Sequence, residues 1–169
     1  AHPAGQPTTD NGQPHPMNLS FKSHFPWPGP DGKPELTYFE GRILAALAGT
    51  TTASPSHTKR HTIRRAAPDG TCRYREGMPL HMVTGPRFKP ERFAIATCTG
   101  VQPIKMELLG MKEPNDGFFM LAYTNTGRLM ENRELHIAQL AANDGLTRHQ
   151  FTKWFMLDII QHGPFIGHI

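Results

Sequence analysis

Between about residues 80 and 130 the apolar residues come in short runs, each of strand length and none long enough for a helix with a buried face. Leu80, Met82 and Thr84 alternate in the first. FAIATCT at 93–99 forms a second run, and 101–109 a third. The runs 117–123 and 128–130 flank Asn125-Thr126-Gly127, a hairpin-type turn. A series of such strands must bury its apolar faces by closing on itself or by packing under helices.

The period is helical on either side of this block. Tyr38, Phe39, Ile43, Leu44 and Leu47 predict an amphipathic helix over about 36–48, ended by Gly49. Leu135, Ile137, Leu140 and Ala141 mark a second helix, stopped near Gly145. Thr147, with Gln150 three residues on, is a capping box for a third helix carrying Phe151, Trp154 and Phe155. Leu19, Phe21 and Phe25 form an early strand pattern, broken at Pro26-Trp27-Pro28-Gly29-Pro30, and 164–169 adds a last one. The predicted fold is α+β, a small β-barrel with flanking helices.

Length and composition set the domain count. The 169 residues suffice for one domain with a core. The low apolar (37%) and charged (19%) fractions go with 16 Gly and 16 Pro, so much of the chain is loop. Residues 1–16 hold four prolines and no large apolar side chain, which predicts a flexible Pro-rich extension ahead of a domain over 17–169. With no apolar run of about 18 residues, no membrane partner is expected. The N-terminus lacks the pattern of a secretory signal. Cys72 and Cys98 are far apart and form no CxxC, so the expected setting is cytoplasmic and reducing, with a single bridge between them as the alternative. A net charge of +4 and a pI near 9.3 suit contact with a polyanion.

The densest chemistry lies at 59–65, where Lys59, Arg60, Arg64 and Arg65 surround His61 and Thr62. The stretch reads as a strand. As surface it is a row of solvated cations. As a site it offers Thr62, a hydroxyl that a neutral buried Lys59 can activate. Strand alternation puts Thr62 and Arg64 on one face and Lys59 on the other, so joint action requires Lys59 in a preceding loop or at a bulge. Asp144, before Gly145, reads first as a helix stop and second as a carboxylate near the start of the next helix.

Arg87 and Lys89, after Thr84-Gly85-Pro86, form a binding loop or a plain connection. Trp27, in the proline-rich stretch, is a candidate for stacking a base, whereas Trp154 sits at core spacing. His57 and His61 have i, i+4 spacing without a helix or a completing ligand, so no metal is expected. No phosphate loop or dinucleotide fingerprint occurs, and no cofactor is expected.

Several of these pieces resemble, in order and spacing, the ASCH family of the PUA-like superfamily. They are Tyr38-Phe39 with Ile43-Leu44-Ala45, Lys59-x-x-Thr62-Ile63-Arg64, and Gly77-Met78-x-Leu80-His81. Leu140-Ala141-x-Asn143-Asp144-Gly145-Leu146 and Phe151-x-x-Trp154-Phe155 also resemble small ASCH-type proteins, many of them from phages and prophages. The resemblance spans 17–169 and implies a PUA-like barrel with a cleft for RNA, DNA or a modified nucleoside. Arg64, Arg87, Lys89 and Trp27 are its candidate ligand-binding residues.

Some small ASCH members are amidohydrolases that deacetylate N4-acetylcytidine with a lysine, a threonine and a glutamate. By position these correspond to Lys59, Thr62 and, one methylene shorter, Asp144. A binding module is the first expectation and an amidohydrolase acting on N4-acylated cytidine the second. A non-catalytic phage structural or protein-interaction component is the third.

Overall fold

The computed structural model describes residues 16–49, 58–109, 119–124 and 133–169. The extension up to residue 15, the 50–57 loop, His57, and the expected turn at 125–127 with its strand at 128–130 lie outside them.

The early strand pattern divides in two. β1 (Met17–Ser20) runs parallel to β5 (Pro79–Thr84), while β2 (His24–Pro28) folds back on β3 (Pro34–Leu36). Pro26 and Pro28 therefore lie within a strand rather than at a break. The β2–β3 ladder tolerates them because it has two aligned pairs, His24↔Leu36 and Pro28↔Pro34, with an irregularity between. The turn comes later, where Gly29 N–H donates to Lys33 O at 2.8 Å.

α1 (Phe39–Leu47) starts after Tyr38, a left-handed residue at φ 56°, and buries Phe39 and Ile43 one turn apart. It is shorter than the predicted 36–48 because Leu36 is already committed to β3. β4 (Arg64–Arg65) is a two-residue strand. β5 pairs antiparallel with β6 (Glu91–Thr97). β7 (Pro103–Leu109) pairs antiparallel with both β8 (Phe119–Thr124) and β9 (Phe165–His168), and β9 also pairs with β4. Between β8 and β9 come α2 (Arg133–Asn143) and α3 (Arg148–His162).

The fold is α+β, as expected. Among the described residues the strands form three sheets, ordered β1-β5-β6, β2-β3 and β4-β9-β7-β8. The 98–102 connection stitches the larger two together. At one end Cys98 N–H donates to Met78 O at 2.8 Å, and at the other Gln102 and Ile169 exchange bonds of 3.0 and 2.8 Å.

The core runs continuously from the sheets into the helices. Phe151 of α3 and Met106 of β7 are fully buried, and Leu146, between α2 and α3, is nearly so. Phe155 joins α3 to β9 through an edge contact with Phe165 at 5.1 Å. The α3 start forms the expected capping box: Thr147 Oγ1 accepts from Gln150 N–H at 3.2 Å, and Gln150 Oε1 accepts from Thr147 N–H at 3.1 Å.

β9 can lie against β4 only because residue 167 is glycine. A Cβ there would stand 2.2 Å from Arg64 O and 2.5 Å from the Phe165 ring. Gly167→Ala should therefore push β9 off β4 and destabilise the protein by about 1–3 kcal/mol, the usual cost of overpacking. A thermal melt matching wild type would contradict this close approach.

Candidate functional site

The stretch at 59–65 was expected to be a strand, yet only Arg64–Arg65 pairs as one. The reason lies in where its backbone donors go. Lys59 N–H donates to Arg42 O in α1 at 3.0 Å. Arg60 and His61 N–H both donate to Asn143 O, at 2.7 and 3.1 Å. Asn143 is the last residue of α2, whose final carbonyls have no partner within the helix. The segment is a strap across two helices, and the alternation that would separate Lys59 from Thr62 does not apply to it.

The strap carries Lys59 into the interior, where its side chain is 3% exposed. The ammonium contacts the Asp144 carboxylate, donates to Asp144 O at 2.8 Å, and lies 4.4 Å from the centre of the Phe39 ring. Ion pairing, hydrogen bonding and cation–π attraction together offset its lost hydration. Burial nevertheless holds Lys59 below the ordinary lysine range. Asp144 opposes that shift, while Arg64 and Arg42 add to it.

Gly145 makes the approach possible. It is left-handed at φ 70°, as expected of a helix stop, and a Cβ on it would meet Lys59 Cβ at 3.0 Å. Arg42 closes the corner by donating to Gly145 O. Asp144 is thus both part of the helix stop and the partner of Lys59.

Beside the strap is a cleft of about 730 Å³. Leu19 of β1, Leu80 and Met82 of β5 and Ile43 of α1 supply apolar wall. Lys59 and Thr62 line it too, but Asp144 does not. The carboxylate therefore stands behind Lys59, placed to orient the lysine and not a bound amine. Thr62 is half-buried, and no hydrogen bond joins it to Lys59 or Asp144. Arg64 also lines the cleft, donating to Ser20 O with its guanidinium 5.3 Å from the Phe21 ring.

The remaining candidates lie elsewhere. Arg87 and Lys89 are exposed in the β5–β6 turn and outside the cleft wall. Trp27 is a strand residue outside that wall. It stacks on Phe25 at 4.8 Å and meets Trp154 edge-on at 6.0 Å, with Lys153 Nζ 4.8 Å from its ring centre. Its neighbours make it part of an aromatic cluster rather than a free stacking platform. Among the described residues no three His, Cys, Asp or Glu side chains are grouped to hold a metal, and both cysteines are free thiols.

Two cleft residues escaped the sequence reading. The spacing of His61 from His57 points only to a metal. Its Nε2 lies 3.1 Å from Leu140 O, an acceptor only, so Nε2 carries the proton and Nδ1 of the neutral ring does not. Burial pushes the His61 pKa below the ordinary histidine range, against the pull of Asp144. Tyr74 comes from a stretch with no periodicity and gave no signal. Its hydroxyl is the one buried side-chain polar atom, among the described residues, that no protein group satisfies.

Lys59→Met leaves the Asp144 carboxylate buried without a counter-ion and should cost about 3–5 kcal/mol in chemical denaturation. Adding Asp144→Leu should recover most of that; costs that simply add would show the pair to be uncoupled. His61 is lowered in the folded state, so its contribution is complete above its unfolded value of 6.5 and is lost as pH falls through the lower folded value. Tm should drop across that window, and His61→Gln should flatten the drop. An unchanged profile in the variant would contradict the burial of a neutral imidazole.

No family model matches the chain, and no match is found among curated proteins or solved structures.

Proposed function

We propose that the cleft receives a nucleobase, as a modified nucleoside or as part of RNA or DNA, and that the chain is an ASCH-type domain with a PUA-like barrel. The observation that carries this reading is the make-up of the cleft wall. Leu19, Leu80 and Met82 offer apolar surface for the faces of a base, and half-buried Thr62 and His61 offer polar groups for its edge. Arg60 lines the same cleft and is exposed, and Arg73 and Arg75 are exposed beside Tyr74, well placed for phosphates.

A second reading, an amidohydrolase acting on N4-acylated cytidine, draws support from the depressed Lys59 beside Thr62. In it Thr62 Oγ1 attacks the acyl carbon and its proton passes to neutral Lys59. The cytidine amine leaves with a proton, and water then releases the acid. One feature weighs against it. The Asp144 carboxylate contacts the Lys59 ammonium and favours its charged form, and no hydrogen bond joins Lys59 to Thr62. Binding is therefore the primary reading.

Calorimetry with cytidine, N4-acetylcytidine and a short RNA tests it. Thr62→Val should weaken binding roughly 5- to 100-fold with little change in Tm, since the Thr62 hydroxyl is offered to the base edge. Absence of binding by wild type, or equal affinity in the variant, would remove the reading. For the second reading, wild type should release cytidine from N4-acetylcytidine and Thr62→Val should not. Equal rates in the two proteins would exclude Thr62 as nucleophile.

A further inference from the structure

The β5–β6 turn exposes the most accessible large apolar side chain among the described residues. Phe88 is 97% exposed and stands between exposed Arg87 and Lys89. The turn that presents it is braced. Lys89 N–H donates to Pro86 O at 3.0 Å, Thr84 pairs with Glu91, and Pro86 and Pro90 fix the backbone on either side. Gly85, at φ 85°, brings its Cα so near Lys89 O that a Cβ would lie 3.2 Å away. A bare phenyl ring between two cations, on backbone held in one shape, is a ready-made stacking platform.

We infer that Arg87-Phe88-Lys89 is a second nucleic-acid contact, in which Phe88 stacks on an unpaired base and the two cations hold its flanking phosphates. The choice of a polymer rests on the reading of the cleft as a base site. β5 joins the two places: Met82 lines the cleft, and Thr84, where the turn begins, is two residues on, about 7 Å along a strand.

The rungs between carry further positive charge. Arg64 donates to Ser20 O, Ser20 pairs with Val83, and Val83 pairs with Arg92. Glu91 is the acidic exception on this path. A strand with one base in the cleft has its neighbouring nucleotides within reach of the turn. Duplex offers no unstacked base to Phe88. A lipid surface favours an apolar face of several residues, whereas this turn offers one ring.

The test compares three probes on the full chain: free N4-acetylcytidine, a short labelled single-stranded RNA, and vesicles containing anionic phospholipid. Phe88→Ala should weaken RNA binding roughly 5- to 100-fold, with nucleoside affinity and Tm unchanged. Phe88→Trp should keep RNA affinity, and its fluorescence should be quenched on binding. Replacing Arg87 and Lys89 together by Gln should lower the salt dependence of log K by about 1.4, two phosphate contacts' worth for a single strand.

Equal RNA affinity in Phe88→Ala and wild type, or no RNA binding by wild type, overturns the inference. So does a loss confined to vesicles containing anionic phospholipid, which would make the turn a membrane contact. If wild type ignores the nucleoside but Phe88→Ala still loses RNA, the cleft reading fails and the turn contact stands.

Discussion

The contact between Lys59 and Asp144 sets the arrangement of everything around it. A lysine drawn fully into the interior needs an anion, acceptors and a polarisable neighbour. This one finds them at the α2–α3 corner and on Phe39. The chain around Lys59 cannot then extend as a strand. It crosses from Arg42 to Asn143, covering the end of α2, and becomes extended only at Arg64. That crossing fixes Thr62, His61 and Arg64 in the wall of the cleft. Gly145 permits the approach on one side, and Gly167 permits the exit into β4 on the other.

The same contact shapes the chemistry. Burial that depresses Lys59 is the condition a catalytic amine requires. The bonds that make the burial tolerable engage two of its three protons, and the carboxylate favours the charged form. Asp144 stands behind the lysine rather than in the cleft, so it acts on any ligand only through Lys59. The wall facing a ligand is consequently apolar surface with a hydroxyl and a neutral imidazole, which suits recognition of a base edge. Arg60 stands at the rim, and Arg92 of β6, paired with Val83 of β5, lies on the way to the Phe88 turn.

The periodic parts of the sequence were the legible ones. β5, β6 and β7 lie within two residues of the apolar runs that indicated them, and Thr147 with Gln150 caps α3 as its spacing indicated. Asp144 beside Gly145 was readable as a helix stop, because a left-handed cap has a local signature. Its pairing with Lys59 joins residues 85 apart and has no such signature.

The errors share a cause. Residues 59–63 carry strand-like composition, but the N–H groups of Lys59, Arg60 and His61 are claimed by helix carbonyls. Pro26 and Pro28 look like breakers, yet they sit in a ladder with little pairing to lose. Trp27 appeared free because nothing local reveals Phe25, Trp154 and Lys153 around it. Tyr74 reaches the cleft from a stretch without any repeat.

The measurement closest to the central claim is an NMR pH titration of the Lys59 side-chain nitrogen in wild type and in Asp144→Asn. Burial dominates its environment, and the carboxylate partly restores the charged form. Lys59 should therefore titrate below the other lysines, and removal of the Asp144 charge should move it lower still. A Lys59 that titrates with the exposed lysines, or that is indifferent to Asp144→Asn, would contradict the buried pair on which the strap and the cleft depend.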